Sequence, residues 1–150
     1  MNYNKSVVHD YLRADRAVFF NAEYCIQVNP GNPDTSGPHW YCNAVALDFR
    51  AKEILLCEIS YAAGLADLAK KLKGWHDNWK GVCEAVARDS FLSEPWPVRP
   101  WLFVPDKYIP LLKTKLTKIV NGQPALFNPK ITALETVQPW LYRSWNQEPY

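Results

Sequence analysis

Apolar positions recur at three- and four-residue steps in three stretches of this chain. In the first, Val8, Tyr11, Leu12, Val18, Phe19, Ala22 and Ile26 mostly keep that spacing, while Arg13, Asp15, Arg16 and Glu23 mark other faces. The pattern predicts an amphipathic helix over about residues 5–26. It has to stop before Asn29-Pro30-Gly31-Asn32-Pro33, a cluster of breakers that continues through Asp34-Thr35-Ser36-Gly37-Pro38 as a long loop.

Two strand-like segments come next, Trp40 to Phe49 and Glu53 to Tyr61, separated by Arg50-Ala51-Lys52, a hairpin-sized turn. Alternation puts Asn43, Val45, Leu47 and Phe49 on one face of the first and Ala44, Ala46 and Asp48 on the other. On the second, Leu56, Glu58 and Ser60 oppose Leu55, Cys57 and Ile59. Both faces are largely apolar, so the hairpin belongs inside a sheet covered by helices. Leu65, Leu68, Leu72, Trp75, Trp79, Val82 and Val86 then mark a long helix over about residues 63–89, with Gly74 and Gly81 as points of kinking or close packing. Val98 to Val104 reads as a strand in which Pro100 favours an edge position. Pro110 to Val120 reads as a helix with Leu112, Leu116 and Ile119 inward and Lys113, Lys115 and Lys118 outward, and residues 130–137 as a last strand. Helix, hairpin, long helix, strand, helix, strand is an α/β order: one mixed sheet with helices on both sides.

Composition narrows the class. At 150 residues the chain is sized for a single domain spanning 1–150, and 48% apolar with 21% charged residues excludes a disordered or fibrous chain. No apolar run approaches the roughly 20 residues of a membrane span, and the polar start Met1-Asn2-Tyr3-Asn4-Lys5 lacks a signal-peptide core. Cysteines 25, 42, 57 and 83 form no CxxC pair, which points to reduced thiols and a cytoplasmic location. A formal charge of +2 means that any nucleic-acid surface must be a local basic patch.

The chemistry centres on an acid in an apolar strand. Glu58 lies within Leu55-Leu56-Cys57-Glu58-Ile59, where an ionised carboxylate must be paired, hydrogen-bonded or bound to metal. Asp48 lies in the partner strand, and a short hairpin offers to bring the two together. Two such oxygens suit Mg²⁺ or Mn²⁺, which can activate water against a phosphodiester. The competing expectation is a solvated strand-end acid and a second acid paired with Arg or Lys.

A helix, then Asn43-Ala44-Val45-Ala46-Leu47-Asp48-Phe49, then Leu55-Leu56-Cys57-Glu58-Ile59-Ser60 and a further helix, resembles the PD-(D/E)XK nuclease-like, or restriction endonuclease-like, superfamily. That resemblance implies an α-β-β-β-α-β core with an Asp on the first hairpin strand and Glu-x-Lys on the second. Glu58 matches the metal-binding Glu. Ser60 stands at the Lys position and supplies no positive charge. The Asp position falls on Asp48 or on Asn43, whose amide is a weaker cation ligand. Glu23 resembles an additional helical Glu of the metal site, and Lys70 and Lys73 are candidates to replace the missing Lys. The resemblance therefore implies either Mg²⁺- or Mn²⁺-dependent hydrolysis of DNA by Glu58, Asp48 and Glu23, with Ser60 hydrogen-bonding the water, or a degenerate module that binds DNA or a protein partner without turnover.

Other signals are secondary. Cys25, His39, Cys42 and Cys57 lack zinc-site spacing, and His76 reads as a packed or surface residue. Lysines 70, 71, 73, 107, 113, 115 and 118 with Arg88 and Arg99 are candidates for a phosphate-contacting face. Tryptophans 96, 101, 140 and 145 are core anchors or, where exposed, stacking surfaces for bases, a partner or a second copy in a homodimer. No Gly-rich phosphate loop or GxSxG motif supports a small-molecule enzyme.

Overall fold

The computed structural model describes residues 3–29, 37–61, 63–121 and 127–138. Most of the Pro-rich loop after Asn29, and Trp140 and Trp145, lie outside the described residues. The elements are α1 (Tyr3–Arg13), β1 (Val18–Gln27), β2 (His39–Asp48), β3 (Glu53–Ile59), α2 (Ala66–Asp77), α3 (Trp79–Ser90), β4 (Val98–Val104), α4 (Ile109–Val120) and β5 (Lys130–Ala133). They form an α/β structure with one open five-stranded sheet in the order β1-β2-β3-β4-β5. The β1-β2-β3 pairs are antiparallel and the β3-β4-β5 pairs parallel, so the sheet is mixed.

The expected first helix is cut in half. The chain leaves α1 at Arg13 and turns at Asp15, whose Oδ1 accepts the Ala17 N–H at 2.8 Å and whose carboxylate receives both Arg50 guanidinium nitrogens at 2.6 and 2.9 Å. From Val18 the chain is extended, as the ten-residue strand β1. Val18, Ala22 and Ile26 satisfy a four-residue helical step, but with Phe20 and Tyr24 they equally satisfy a two-residue strand step. Aromatic and β-branched composition, together with pairing to β2, decides for the strand.

The long helix is also divided. Asn78 leaves helical geometry (φ −120°, ψ 25°) between α2 and α3, and its Nδ2 donates to the Gly74 carbonyl at 2.8 Å. The glycines are close-packing points rather than the break. A Cβ on Gly74 would lie 2.8 Å from Trp40 Nε1, and one on Gly81 would lie 2.9 Å from Val28 Cγ1. Pro100 sits on an interior strand, not an edge. Its missing N–H is tolerated because β5 pairs only with Trp101–Val104, leaving that end of β4 with a single neighbour. The last strand stops at Ala133 and continues as a 3₁₀ turn, Leu134–Val137.

Two apolar layers cover the sheet. On one face Ile26, Leu56, Leu72, Trp75, Leu102 and Leu112 bury against α2, α3 and α4. On the other, Val8 and Leu12 of α1 bury against Ala44, Ala46, Cys57 and Phe103. The alternation reverses at one row. Val18 and Phe20 pack on the α1 side, but Tyr24 and Ile26 pack on the α2 side, and Cys42 likewise faces opposite to Ala44. The switch falls between the pairs Ala22↔Ala44 and Tyr24↔Cys42, at Glu23 and Asn43, where Glu23 takes φ +56°. Of the described residues, no helix is long and apolar enough to cross a membrane.

The α2 seam carries much of this cohesion. Leu72→Ala, at a fully buried site, should cost about 2–5 kcal/mol in urea unfolding, whereas Leu111→Ala on the exposed side of α4 should stay within about 0.5 kcal/mol.

Candidate functional site

The row where the faces switch is also where β2 and β3 part. The regular ladder ends at Ala44↔Cys57. One step beyond, side chains replace it: Asn43 N–H donates to Glu58 Oε2 at 2.7 Å, and Ile59 N–H donates to Asn43 Oδ1 at 2.8 Å. Asn43 thus gives its N–H to the Glu58 side chain and takes the Ile59 N–H on its own side chain, bridging the gap. Asn43 and Glu58 are both buried, so the arrangement satisfies groups that would otherwise be costly.

Glu58 Oε1 faces α2, where Lys71 Nζ donates to it at 2.6 Å and to the Tyr41 carbonyl at 2.8 Å. Glu58 is nearly inaccessible, its side chain 6% exposed against 28% for Lys71. Burial pushes its carboxyl above the ordinary carboxylate range, outweighing the opposing pull of the Lys71 ammonium and the Asn43 N–H. A cleft of about 330 Å³ opens in front, bordered by Lys5, Asn43, Glu58, Ser60, Tyr61 and Lys71. It lies at the carboxyl end of β3, where the sheet turns from antiparallel to parallel, a common position for ligand sites in open α/β sheets. Beneath it His9 of α1 is buried with Nε2 unpartnered, and burial is the main cause of its lowered pKa.

The structure gathers some of the sequence candidates and separates others. Glu58, Asn43 and Ser60 border one cleft, and the Ser60 N–H donates to the Phe103 carbonyl at 3.0 Å. Asp48 is not brought to Glu58. It pairs with Glu53 at the far end of the hairpin, about 17 Å along the strand, and its Oδ1 accepts the turn N–H groups of Arg50 and Ala51 at 2.9 and 3.1 Å. Glu23 lies on β1 rather than on a helix; it is exposed and pairs with Lys5 at 3.5 Å. Lys73 pairs with Asp77, and Lys70 is exposed.

The lysine that reaches Glu58 is therefore Lys71, not Lys70 or Lys73. The signal was present: three residues after Leu68 and four before Trp75, it is the α2 lysine in phase with the apolar stripe. Cys42 and Cys57 belong to opposite core layers, and burial raises both thiol pKa values. His76 packs edge-on to Phe127 at 5.4 Å.

As arranged, these groups do not fit a divalent cation. Both Glu58 oxygens and the Asn43 Oδ1 are committed within the protein, Asp48 is remote, and an ammonium already lies at contact distance from Oε1. Among the described residues no three His, Cys, Asp or Glu side chains form a metal-binding group. In comparisons with known proteins, no family model, characterised protein or solved structure matches the chain.

Removing Lys71 should expose the cost of burying Glu58. Lys71→Met should destabilise the protein by about 2–3 kcal/mol at pH 8, discounted for the partial exposure of the lysine. The folded pKa of Glu58 is raised, so the penalty sets in as pH rises through it and disappears below the unfolded pKa. Urea titrations should show the Lys71→Met deficit shrinking towards pH 5 and largely recovered by adding Glu58→Gln. His9 acts in the opposite direction. Its lowered pKa gives stability that is complete above the unfolded value of 6.5 and lost as pH falls towards the folded value. Melting curves of His9→Phe should decline less between pH 7 and 5 than those of the wild type.

Proposed function

We propose that the protein is a nuclease-fold module that binds nucleic acid without hydrolysing it. The observation that carries this reading is the closed circuit at Glu58: Lys71 Nζ on one oxygen and the Asn43 N–H on the other. A carboxylate so used holds the sheet and α2 together and offers no open position to a cation and its water. The element order and the mixed sheet support a restriction endonuclease-like core, with α1, the β1-β2-β3 meander, the α2–α3 crossover, β4, α4 and β5 in sequence.

The binding surface we assign is the outer side of α4. Its twelve residues carry Lys113, Lys115 and Lys118 and no acid. Among the described residues none of these lysines forms an ion pair, whereas Lys71, Lys73, Arg88 and Arg99 are each paired with a carboxylate. Leu112, Leu116 and Ile119 anchor the opposite side in the core, so the lysines sit on a rigid support. Ammonium groups without internal counter-ions suit a phosphate backbone.

A second reading has one observation in its favour. Lys71 supplies from α2 the positive charge that Ser60 cannot, and it stands beside Glu58. If the Glu58 circuit opened on substrate binding, the pair would serve metal-dependent hydrolysis. Incubation with single- and double-stranded DNA in Mg²⁺ or Mn²⁺ separates the two. We expect no cutting above that of Glu58→Ala, and metal-dependent cutting abolished by that substitution would establish the second reading instead. Binding to duplex DNA should weaken steeply with salt. Replacing Lys113, Lys115 and Lys118 by Ala should reduce the slope of log K against log salt by about 0.9 for each phosphate no longer neutralised. A salt-independent affinity, or one unchanged in the triple variant, would refute the α4 assignment.

A further inference from the structure

We infer that a second copy of this chain docks on the aromatic face around the C-terminal end of α3. Phe91 closes that helix in the left-handed conformation (φ +54°) and is 91% exposed. Glycine or asparagine is usual there, because a side chain is strained in that conformation. The monomer thus carries backbone strain at a residue whose ring it does not bury. Nearby, Phe19 and Phe49 are also exposed. They meet edge-on with centroids 5.5 Å apart, and Phe49 meets Trp96 at 4.9 Å. Phe19, Phe49 and Trp96 form one contiguous aromatic group, and Phe91 follows Ser90, which borders the cleft that Phe19 lines; exposed apolar groups of this kind mark interfaces.

The same face carries recesses as well as projections. Two clefts flank Ser90. One, of about 280 Å³, is bordered by Phe19, Val45, Leu47 and Val86, and the other, of about 250 Å³, by Ile54, Leu92 and Trp96. An apolar cavity of about 150 Å³ accommodates a benzene ring, so each cleft has the volume for a phenyl group, with Asp89 lining the first and Glu94 the second. Both are smaller than the pockets usual for small-molecule ligands, which start at about 300 Å³. A projecting ring beside a ring-sized recess is self-complementary. Two copies related by a two-fold axis would each place Phe91 in the other's cleft and close the contact without leaving an open end.

The polar rim favours a second copy over a polyanion. It consists of Arg88 with Asp89 (3.0 Å) and Lys52 with Glu94 (3.8 Å), so both signs are present and can pair across a two-fold axis. A phosphate backbone laid here would meet Asp89 and Glu94. This proposal uses none of the Glu58 site and none of the α4 lysines, and it stands apart from the nucleic-acid reading.

Sedimentation of the full chain over a wide concentration range tests it. We expect a reversible monomer–dimer equilibrium, with the dissociation constant raised about 30-fold or more by Phe91→Gly and by Phe19→Ser combined with Phe49→Ser. Leu111→Ser, an equally apolar change away from this face, should leave the dimer intact. Phe91→Gly should also melt no lower than the wild type when both are compared as monomers, because glycine suits the left-handed position. The proposal is overturned by a chain that stays monomeric at every concentration, or by a dimer indifferent to both sets of substitutions. A dimer that survives Phe91→Gly but is lost on removing residues 139–150 overturns it as well, as does a lowered melting temperature in monomeric Phe91→Gly, which would make the ring a structural part of the fold.

Discussion

A carboxylate buried between two parting strands is the constraint around which this structure is organised. Glu58 cannot remain ionised in that position without donors on both oxygens, and they come from different parts of the chain: the Asn43 N–H from β2 and the Lys71 ammonium from α2. The carboxylate therefore ties a strand to its neighbour and the sheet to a helix in one step. Asn43 completes the exchange by accepting the Ile59 N–H, so the point where the ladder fails is bridged by side chains rather than left open. A hydrophobic replacement would fill the space but would not link these three elements in one register.

The same row governs the surrounding architecture. Glu23 and Asn43 mark the position at which β1 and β2 exchange the faces they present to the two helical layers. Residues before and after the row can thus pack against opposite layers while the pairing register continues unbroken. The crossover after β3 then carries α2 and α3 over the sheet to β4, placing Lys71 above the carboxyl end of β3 and the aromatic C-terminus of α3 near the β2–β3 turn. The acid–lysine cleft and the aromatic face are consequences of one crossover and occupy different ends of the molecule.

Charge is distributed to match. Most cations near the sheet are matched locally: Arg50 by Asp15, Arg99 by Glu53, Lys71 by Glu58. Lys130 is held over the Trp101 ring at 4.1 Å, where burial lowers its pKa. The lysines of α4 differ because that helix contains no acid at all. With a net charge of only +2, a basic face can exist only where positive side chains are segregated in this way.

Period and composition were enough to reach the α/β class, the β2–β3 hairpin, α4 and the burial of Glu58, because each shows in the local spacing of apolar residues along the chain. The division at Asp15 was not legible: Val18, Ala22 and Ile26 fit helix and strand alike until β2 supplies a partner. Nor was the break at Asn78, whose side-chain bond to Gly74 leaves no trace in the apolar stripe. Asp48 and Glu58 looked like companions because both are acids in apolar strands. The antiparallel register places them at opposite ends of the hairpin, and register is a property of paired strands rather than of either one alone. An acid set within Leu55-Leu56-Cys57-Glu58-Ile59 has to be buried and answered, and that much is written in the chain. Helical phase singles out Lys71 among the lysines of α2, but its partner follows from tertiary packing, since the crossover after β3 is what carries that face of α2 to within 2.6 Å of Glu58.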